Sequence, residues 1–528
     1  MEKQEKLKFR NLLQLLDKPL IIVPLGIVTA LFIVFLLAPE RSTEVTDLIR
    51  GFLGNQLGFF YIVMGLGIVL ITLYIAFSRY GNIRLGNTEK PMFGDFKWAI
   101  LIFTGVFASD LIFYSLIEWA MYAGDPFIVE KGSEWISTYP LFHWGPVPWG
   151  FYVMLSVAFA FMLHTRGRNK QKFSEACRPI LGDRIDGSAG KVIDIIAICA
   201  LIAGTATTFS ITTPLLTASL GTIIGVDGTA AMTVAILILI AVIYTITVFF
   251  GIAGIYQAAK ICIALFFLMI FYILFFGGQT QFIIETGVTS IGNLAQNFIG
   301  MATWMDPLRI SDSGYGGFVQ NWTIFFWAYW MAWCVATPFF LGMISKGRTI
   351  KNVILGTYGY GLAGTFLTFI VFGNYGLSQQ LAGNVDVISA VKAETEYLVI
   401  ISILQTLPFS TIVIGVLFIM LVIFYSTTFD SLTYVVSAYS YKHLLPGKES
   451  ANRVRAFWAI VFIIFPIGLI FAENSINSLQ SVAIIAAFPI GFVFCIIIAS
   501  FFKDARMYLE EQEDKKSLKS ENRTEAAC

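Results

Sequence analysis

Hydrophobic positions in this chain neither alternate with polar ones nor keep to one face of a helical period; they gather in long unbroken runs. A bilayer core of about 30 Å takes roughly 20 predominantly apolar residues per helix, and about twelve such runs are present. They lie near 19–38, 57–78, 96–123, 140–164, 191–222, 229–250, 254–277, 320–344, 352–373, 408–438, 456–472 and 479–502. Each predicts a membrane-spanning helix. The first run follows a charged start, MEKQEKLKFR, is too long for a signal segment and lacks a small-residue cleavage pattern, so it reads as a span. Membrane β-barrel strands would show short segments of alternating polarity instead. Two further segments, 287–304 and 391–406, are too polar or too short to span and predict helices lying at the outer surface or capping a cavity. The charged tail from about 503 predicts a solvated helix fading into disorder.

Lys and Arg fall mainly in alternate loops, which marks those loops as cytoplasmic. One set holds Lys3, Lys6, Lys8, Arg10 and Lys18, then Arg79, Arg84 and Lys90, then Arg166, Arg168, Lys170, Lys172, Arg178 and Arg184. It continues with Lys346, Arg348, Lys351, Lys442, Lys448, Arg453 and Arg455, whereas the other set holds little beyond Arg41, Arg50, Lys131, Arg309 and Lys392. Both termini are expected in the cytoplasm, in keeping with an even number of spans.

Composition agrees with the run pattern. Of 528 residues, 57% are hydrophobic and 13% charged, far from the roughly 25% charge of soluble domains. A net charge of +1 offers no basic excess for nucleic acid. The six cysteines form neither a CxxC pair nor a disulfide framework. The histidines His143, His164 and His443 are dispersed, so neither a metal site nor an enzyme is expected.

Ionisable residues inside a span are costly and point to function. The third span, FTGVFASDLIFYSLIEWAMY, contains Asp110 and Glu118. Gly105, Ala108 and Ser109 beside Asp110 allow a local helix break of the kind that forms ion and substrate sites. The bland alternative is a hydrogen-bonded acid inside the bundle. Glu118, nearer the outer end, suits a solvated or structural role equally well. The fourth span opens FHWGPVPWGFY; helical spacing puts Trp144, Trp149 and Tyr152 within an arc of roughly 140°. In the eighth span, NWTIFFWAYWMAWCVATPFF, Tyr329, Trp330 and Trp333 fall within about 100°. Trp is usually an interfacial anchor, the role expected of Trp98, Trp322 and Trp458. The cluster 327–333 lies one to two turns into its span, and the six aromatics on two short helical faces would cage a cation that donates no hydrogen bonds, such as a quaternary ammonium group.

These residues also carry a resemblance. WTIFFWAYWMAWCVATPFFLGMISKGRTIKNVILG is similar to the signature of the betaine/carnitine/choline transporter family, and FHWGPVPW resembles that family's fourth span. The resemblance implies an all-α polytopic membrane protein of the LeuT type, with two inverted five-helix repeats following two extra helices. The expected divisions are a cytoplasmic start (1–18), two extra helices (19–90), a first repeat (91–280), an outer loop (281–319), a second repeat (320–502) and a charged tail (503–528). It further implies a homotrimer in the cytoplasmic (inner) membrane that transports quaternary-ammonium compounds by alternating access. The six aromatics, Trp144, Trp149, Tyr152, Tyr329, Trp330 and Trp333, match the positions that hold the trimethylammonium group, Tyr329 replacing the usual Trp.

Coupling is where the chain departs from the sodium-coupled members. Their GMGIG is replaced by VFASD, Val106 to Asp110, and proton-coupled choline transporters of the family carry an acid matching Asp110. Thr427 and Thr428 match sodium-binding hydroxyls, although back-bonding along their own helix is the plain alternative. Ala108, Ser109 and Thr337 are further candidates for a cation site or pocket lining. Cys262 and Thr337 stand where the sodium-independent exchangers have Arg and Met. No cofactor is expected; proton symport ranks first, sodium symport second and exchange third, with a channel as the rival from another class. Choline, betaine and carnitine all remain open as substrates.

Overall fold

The computed structural model describes residues 14–525 apart from 89, 107–108, 169, 310–316, 394–395, 443, 445–449 and 472–475. Within helices, the backbone alone is described at 36, 104–106, 245–256, 259, 430–431, 463–471, 476–480 and 519–525. Among the described residues there are helices and two isolated bridges, Leu16 to Tyr441 and Arg84 to Thr349, but no strand.

The long helices follow the apolar runs. They are α1 (Lys18–Leu37), the more polar α2 (Pro39–Gly51), α3 (Gly58–Phe77), α4 (Asp95–Val106) and α5 (Ser109–Tyr122). After the short α6 (Pro126–Lys131) come α7 (Glu134–His143), α8 (Pro146–Ala160), α9 (Ser188–Ile224), α10 (Ala230–Phe276) and α11 (Thr280–Thr303). The second half holds α12 (Ile324–Trp333), α13 (Thr337–Ile344), α14 (Ile350–Thr368), α15 (Asn374–Leu381), α16 (Val387–Lys392) and α17 (Glu396–Gln405). It ends with α18 (Ser410–Tyr439), α19 (Asn452–Phe471) and α20 (Ile476–Glu525). Seven helices among the described residues are long and apolar enough to cross a membrane, or nine when each of two bent pairs counts once. The first, third, sixth, seventh, tenth, eleventh and twelfth apolar runs include residues without described side chains. On α3, Phe59, Val63, Leu70 and Phe77 are exposed while Tyr61, Ile68 and Ile75 are buried, the two sides of a helix with lipid on one face and protein on the other.

Several details differ from the sequence expectation. The runs 229–250 and 254–277 form one continuous helix, α10, of 47 residues. At 1.5 Å per residue it is about 70 Å long, over twice a bilayer core, because no Pro interrupts it. The amphipathic segment begins two turns earlier than expected and α11 leaves α10 at 111°. The segment near 391–406 is two short helices, α16 and α17. The tail is helical as far as Glu525 in one piece with the last apolar run, and Arg166 pins it through Asp504 (2.8 Å) and Glu511 (2.9 Å).

Trp98 and Trp458 are buried polar-bonded residues, not interfacial anchors. The Trp98 indole lies 3.9 Å from the Arg348 guanidinium and donates to Ser345, and Trp458 donates to Ser440. Trp322 is partly exposed.

Candidate functional site

Two prolines shape the backbone around the aromatic residues. Pro146 biases the preceding residue away from helical angles, and the helix is interrupted there, between α7 and α8, with Gly145 at φ −100° and ψ −146°. Trp144 therefore does not share a helix with Trp149 and Tyr152, so the arc computed for those three does not apply to it. Pro338 lacks an N–H for the carbonyl of Cys334 and its ring would clash there. The eighth span accordingly breaks at Cys334–Ala336 and bends by 55°. Pro338 was the available sequence signal for this break. The stretch beside Asp110 where a break was anticipated, with Ala108, lies outside the described residues.

Trp330 is the hub of the cluster. Its ring centroid lies 5.4 Å from Trp144, 5.8 Å from Trp149 and 4.8 Å from Tyr152, at interplanar angles of 72°, 53° and 57°. All four are nearly closed to solvent. Tyr114, Phe326 and Phe369 complete the wall around Trp144, at 5.7, 5.9 and 5.3 Å. Trp149 lies so close to α14 that a Cβ at Gly361 would sit 2.4 Å from its ring. Trp333 packs against Gly204 of α9 and makes no ring contact with the other five among the described residues. Thr337 is buried at the start of α13. The indole N–H groups of Trp149, Trp330 and Trp333 and the Tyr114 hydroxyl have no partner among the described residues.

Tyr329 turns away from this cluster and toward the acid. Its hydroxyl donates to Asp110 Oδ2 at 2.5 Å and shares a short hydrogen bond with Thr208 of α9. The Leu111 amide donates to Asp110 Oδ1 at 3.0 Å, and Ser109 donates to Thr212 at 3.1 Å. Asp110 is thus buried with both oxygens bonded. Thr208 and Thr212, one turn apart on α9, were not singled out from the sequence, because helical Thr is commonplace. The Thr427 hydroxyl donates to the carbonyls of Ile423 and Phe424, the back-bonded arrangement, and Thr428 beside it is partly buried.

Glu118 is fully buried rather than solvated. Its Oε2 accepts the Trp144 indole N–H at 2.7 Å, and its Oε1 accepts the Tyr122 hydroxyl. His143 links Tyr122 to Thr323 through its two ring nitrogens. Among the described residues no group of three His, Cys, Asp or Glu is arranged to hold a metal ion.

The class that emerges is a multi-pass, all-helical membrane protein whose aromatic and acidic groups converge inside the bundle. The chain belongs to the betaine/carnitine/choline transporter family, whose sequence profile matches residues 19–510. It is 27% identical over 495 residues to a glycine betaine transporter of Bacillus subtilis, covering 92% of this chain and 93% of that one. It is 25% identical over 440 residues to a carnitine transporter of Acinetobacter baumannii (82% and 78% covered). Against a high-affinity choline transport protein of Escherichia coli it is 28% identical over 463 residues (85% and 66%). The family and these relatives are transporters, not enzymes.

Proposed function

We propose that the protein is a secondary active transporter that carries a quaternary-ammonium compound by alternating access and couples its movement to protons through Asp110. The observation that carries the reading is the buried group Trp144, Trp149, Tyr152 and Trp330, with Asp110 of α5 bonded to Tyr329 on the neighbouring face of α12. Indole and phenol faces attract a cation that needs no hydrogen bonds, within about 6 Å of each centroid. The unpartnered indole N–H groups suit an oxygen at the far end of such a molecule. In this arrangement the rings touch one another. Trp330 must therefore swing to admit the cation, which fits an occluded state between two open ones.

A net cation of the choline type is favoured over the zwitterions. Asp110 and Glu118 are both buried around the cluster, and no Lys or Arg forms an ion pair with either among the described residues. Thr427 is engaged with its own helix, which gives a sodium site there no support. The bent eighth span fits the discontinuous helices on which LeuT-type transporters build their sites, with two inverted five-helix repeats. The reading also includes both termini in the cytoplasm, on the charge pattern, and an inner-membrane location and a homotrimer, on the family resemblance.

The test is uptake of labelled choline, glycine betaine and carnitine into proteoliposomes under imposed pH or sodium gradients. Wild type should take up choline best and respond to the pH gradient, and Asp110→Asn should lose that response. A response to pH that is equal in both would reject Asp110 as the proton carrier.

A further inference from the structure

The Glu118 network does more than buttress the bundle. Glu118 lies two turns along α5 from Asp110, with both carboxyl oxygens engaged, one by Trp144 and the other by Tyr122. The Tyr122 hydroxyl also meets His143 Nδ1 at 2.8 Å, and His143 Nε2 meets Thr323 Oγ1 at 2.9 Å. The His143 ring lies nearly parallel to those of Phe318 and Phe326, at 23° and 21°, and its two hydrogen bonds set the direction of both nitrogens. Thr323 is buried, but its neighbours Asn321 and Trp322 are partly exposed, at the end of the bundle that the charge pattern marks as external.

This chain of groups has two complete proton arrangements. In the first, Thr323 O–H donates to His143 Nε2, Nδ1–H donates to the Tyr122 oxygen, and Tyr122 O–H donates to an ionised Glu118. In the second, Glu118 carries the proton and donates to Tyr122, Tyr122 donates to Nδ1, and Nε2–H donates to Thr323. Adding one proton at Nε2 converts the first into the second: Nδ1 gives its proton to the Tyr122 oxygen, and Tyr122 passes its own to Glu118 Oε1. Every intermediate member ends neutral. The Trp144 N–H donates to Oε2 in both arrangements, so the proton arrives on the group that holds one wall of the aromatic cluster.

We infer that Glu118 is a second proton-binding residue of the transporter, loaded from the external face through Thr323, His143 and Tyr122. This rests on the proton-coupled reading above. The titratable groups around it are Tyr114 on its own helix, with Asp110 and Glu396 beyond, and Tyr122, Tyr139 and His143. Among the described residues no Lys or Arg lies within ion-pairing distance to keep Glu118 ionised.

Two readouts on the full chain in proteoliposomes test it. The first is the infrared difference spectrum on acidification. A protonated-carboxyl band should appear in wild type and in Asp110→Asn and be absent from Glu118→Gln; no Glu118-dependent band overturns the proposal. The second uses Tyr122→Phe, which keeps the ring against Phe318 and Trp322 and removes the hydroxyl. Uptake driven by a pH gradient should fall at least about tenfold, while substrate counterflow, which needs no net proton movement, stays within about threefold. Equal falls in both, or no fall in either, would remove Tyr122 and its chain from the proton path. Wild-type uptake indifferent to pH would defeat the coupling reading by itself, and the infrared band would still decide whether Glu118 takes a proton.

Discussion

Replacing Trp330 by Leu tests the aromatic site at its centre. Three rings lie within 5.8 Å of this one, so a cation seated among them cannot avoid its face. A desolvated cation over an indole gains about 2 kcal/mol, and losing that contribution weakens binding about 30-fold. Truncation also removes apolar volume, which would weaken any ligand of the same shape. The measurement therefore compares choline with its uncharged tert-butyl isostere, by equilibrium binding to purified protein, in wild type and variant. Wild type should prefer choline, and Trp330→Leu should shrink that preference about 30-fold, with a smaller loss for the isostere alone. Trp330→Phe keeps a ring with a weaker face and should fall between, about fivefold, which guards against a folding defect in the Leu variant. An unchanged choline-to-isostere ratio in both variants would refute the cation–π argument, whatever happened to absolute affinity.

Other substitutions probe the scaffold. Gly361→Ala places a Cβ 2.4 Å from the Trp149 ring, so Trp149 must shift; choline affinity should drop about tenfold or more in the same binding assay. Pro338→Ala restores an N–H for the Cys334 carbonyl and lets the helix run through the break. Turnover in uptake assays should fall by about tenfold while equilibrium binding changes less. Asp504→Asn removes the acid shared by Arg166 and Arg168 and should lower thermal stability by about 1–3 kcal/mol, read by melting in detergent. In the loop after α8, Arg178 and then Lys170 donate to Asp186 and hold its carboxyl well below its ordinary value. The unfolded chain binds that proton more readily, so the contribution is whole above pH of about 4 and is lost only as pH falls through the lower folded value. Melting of wild type and Asp186→Asn should therefore differ by a small, constant amount from about pH 5 to pH 8, the group being half exposed.

The membrane class was legible because every span must bury its own backbone hydrogen bonds behind roughly 20 apolar side chains, a signal that needs no tertiary context. The deep aromatics were legible for a related reason: Trp330 and Trp333 lie beyond the interfacial depth where such rings are ordinary. Partnerships were not. Spacing put Tyr329 with the other aromatics, but its hydroxyl is bonded to Asp110 and Thr208, and which of two faces a side chain serves depends on helices far apart in sequence. Glu118 shows the same limit. Its position near a span end left a solvated and a structural role both open, and only the fold shows that Tyr122 and Trp144, the latter from the α7–α8 break, enclose it fully.

Irregular backbone at membrane depth survives only where protein or a polar cavity covers it. In this chain four of the interruptions converge on one place, whereas the π turns at Phe52–Gln56 and Phe161–Thr165 lie elsewhere. Cys334–Ala336, all buried, follow directly on Trp333. The α7–α8 interruption presents Trp144 to Trp330. A wide π turn at Phe369–Gly373 brings Phe369 to 5.3 Å from Trp144, and another at Val319–Thr323 carries Thr323 to His143. Each of these departures gives up regular helical hydrogen bonding, and all of them touch the aromatic cluster or the Glu118 chain. Their coincidence is in keeping with the proposed alternating access, in which Trp330 and Trp144 would be the surfaces that part.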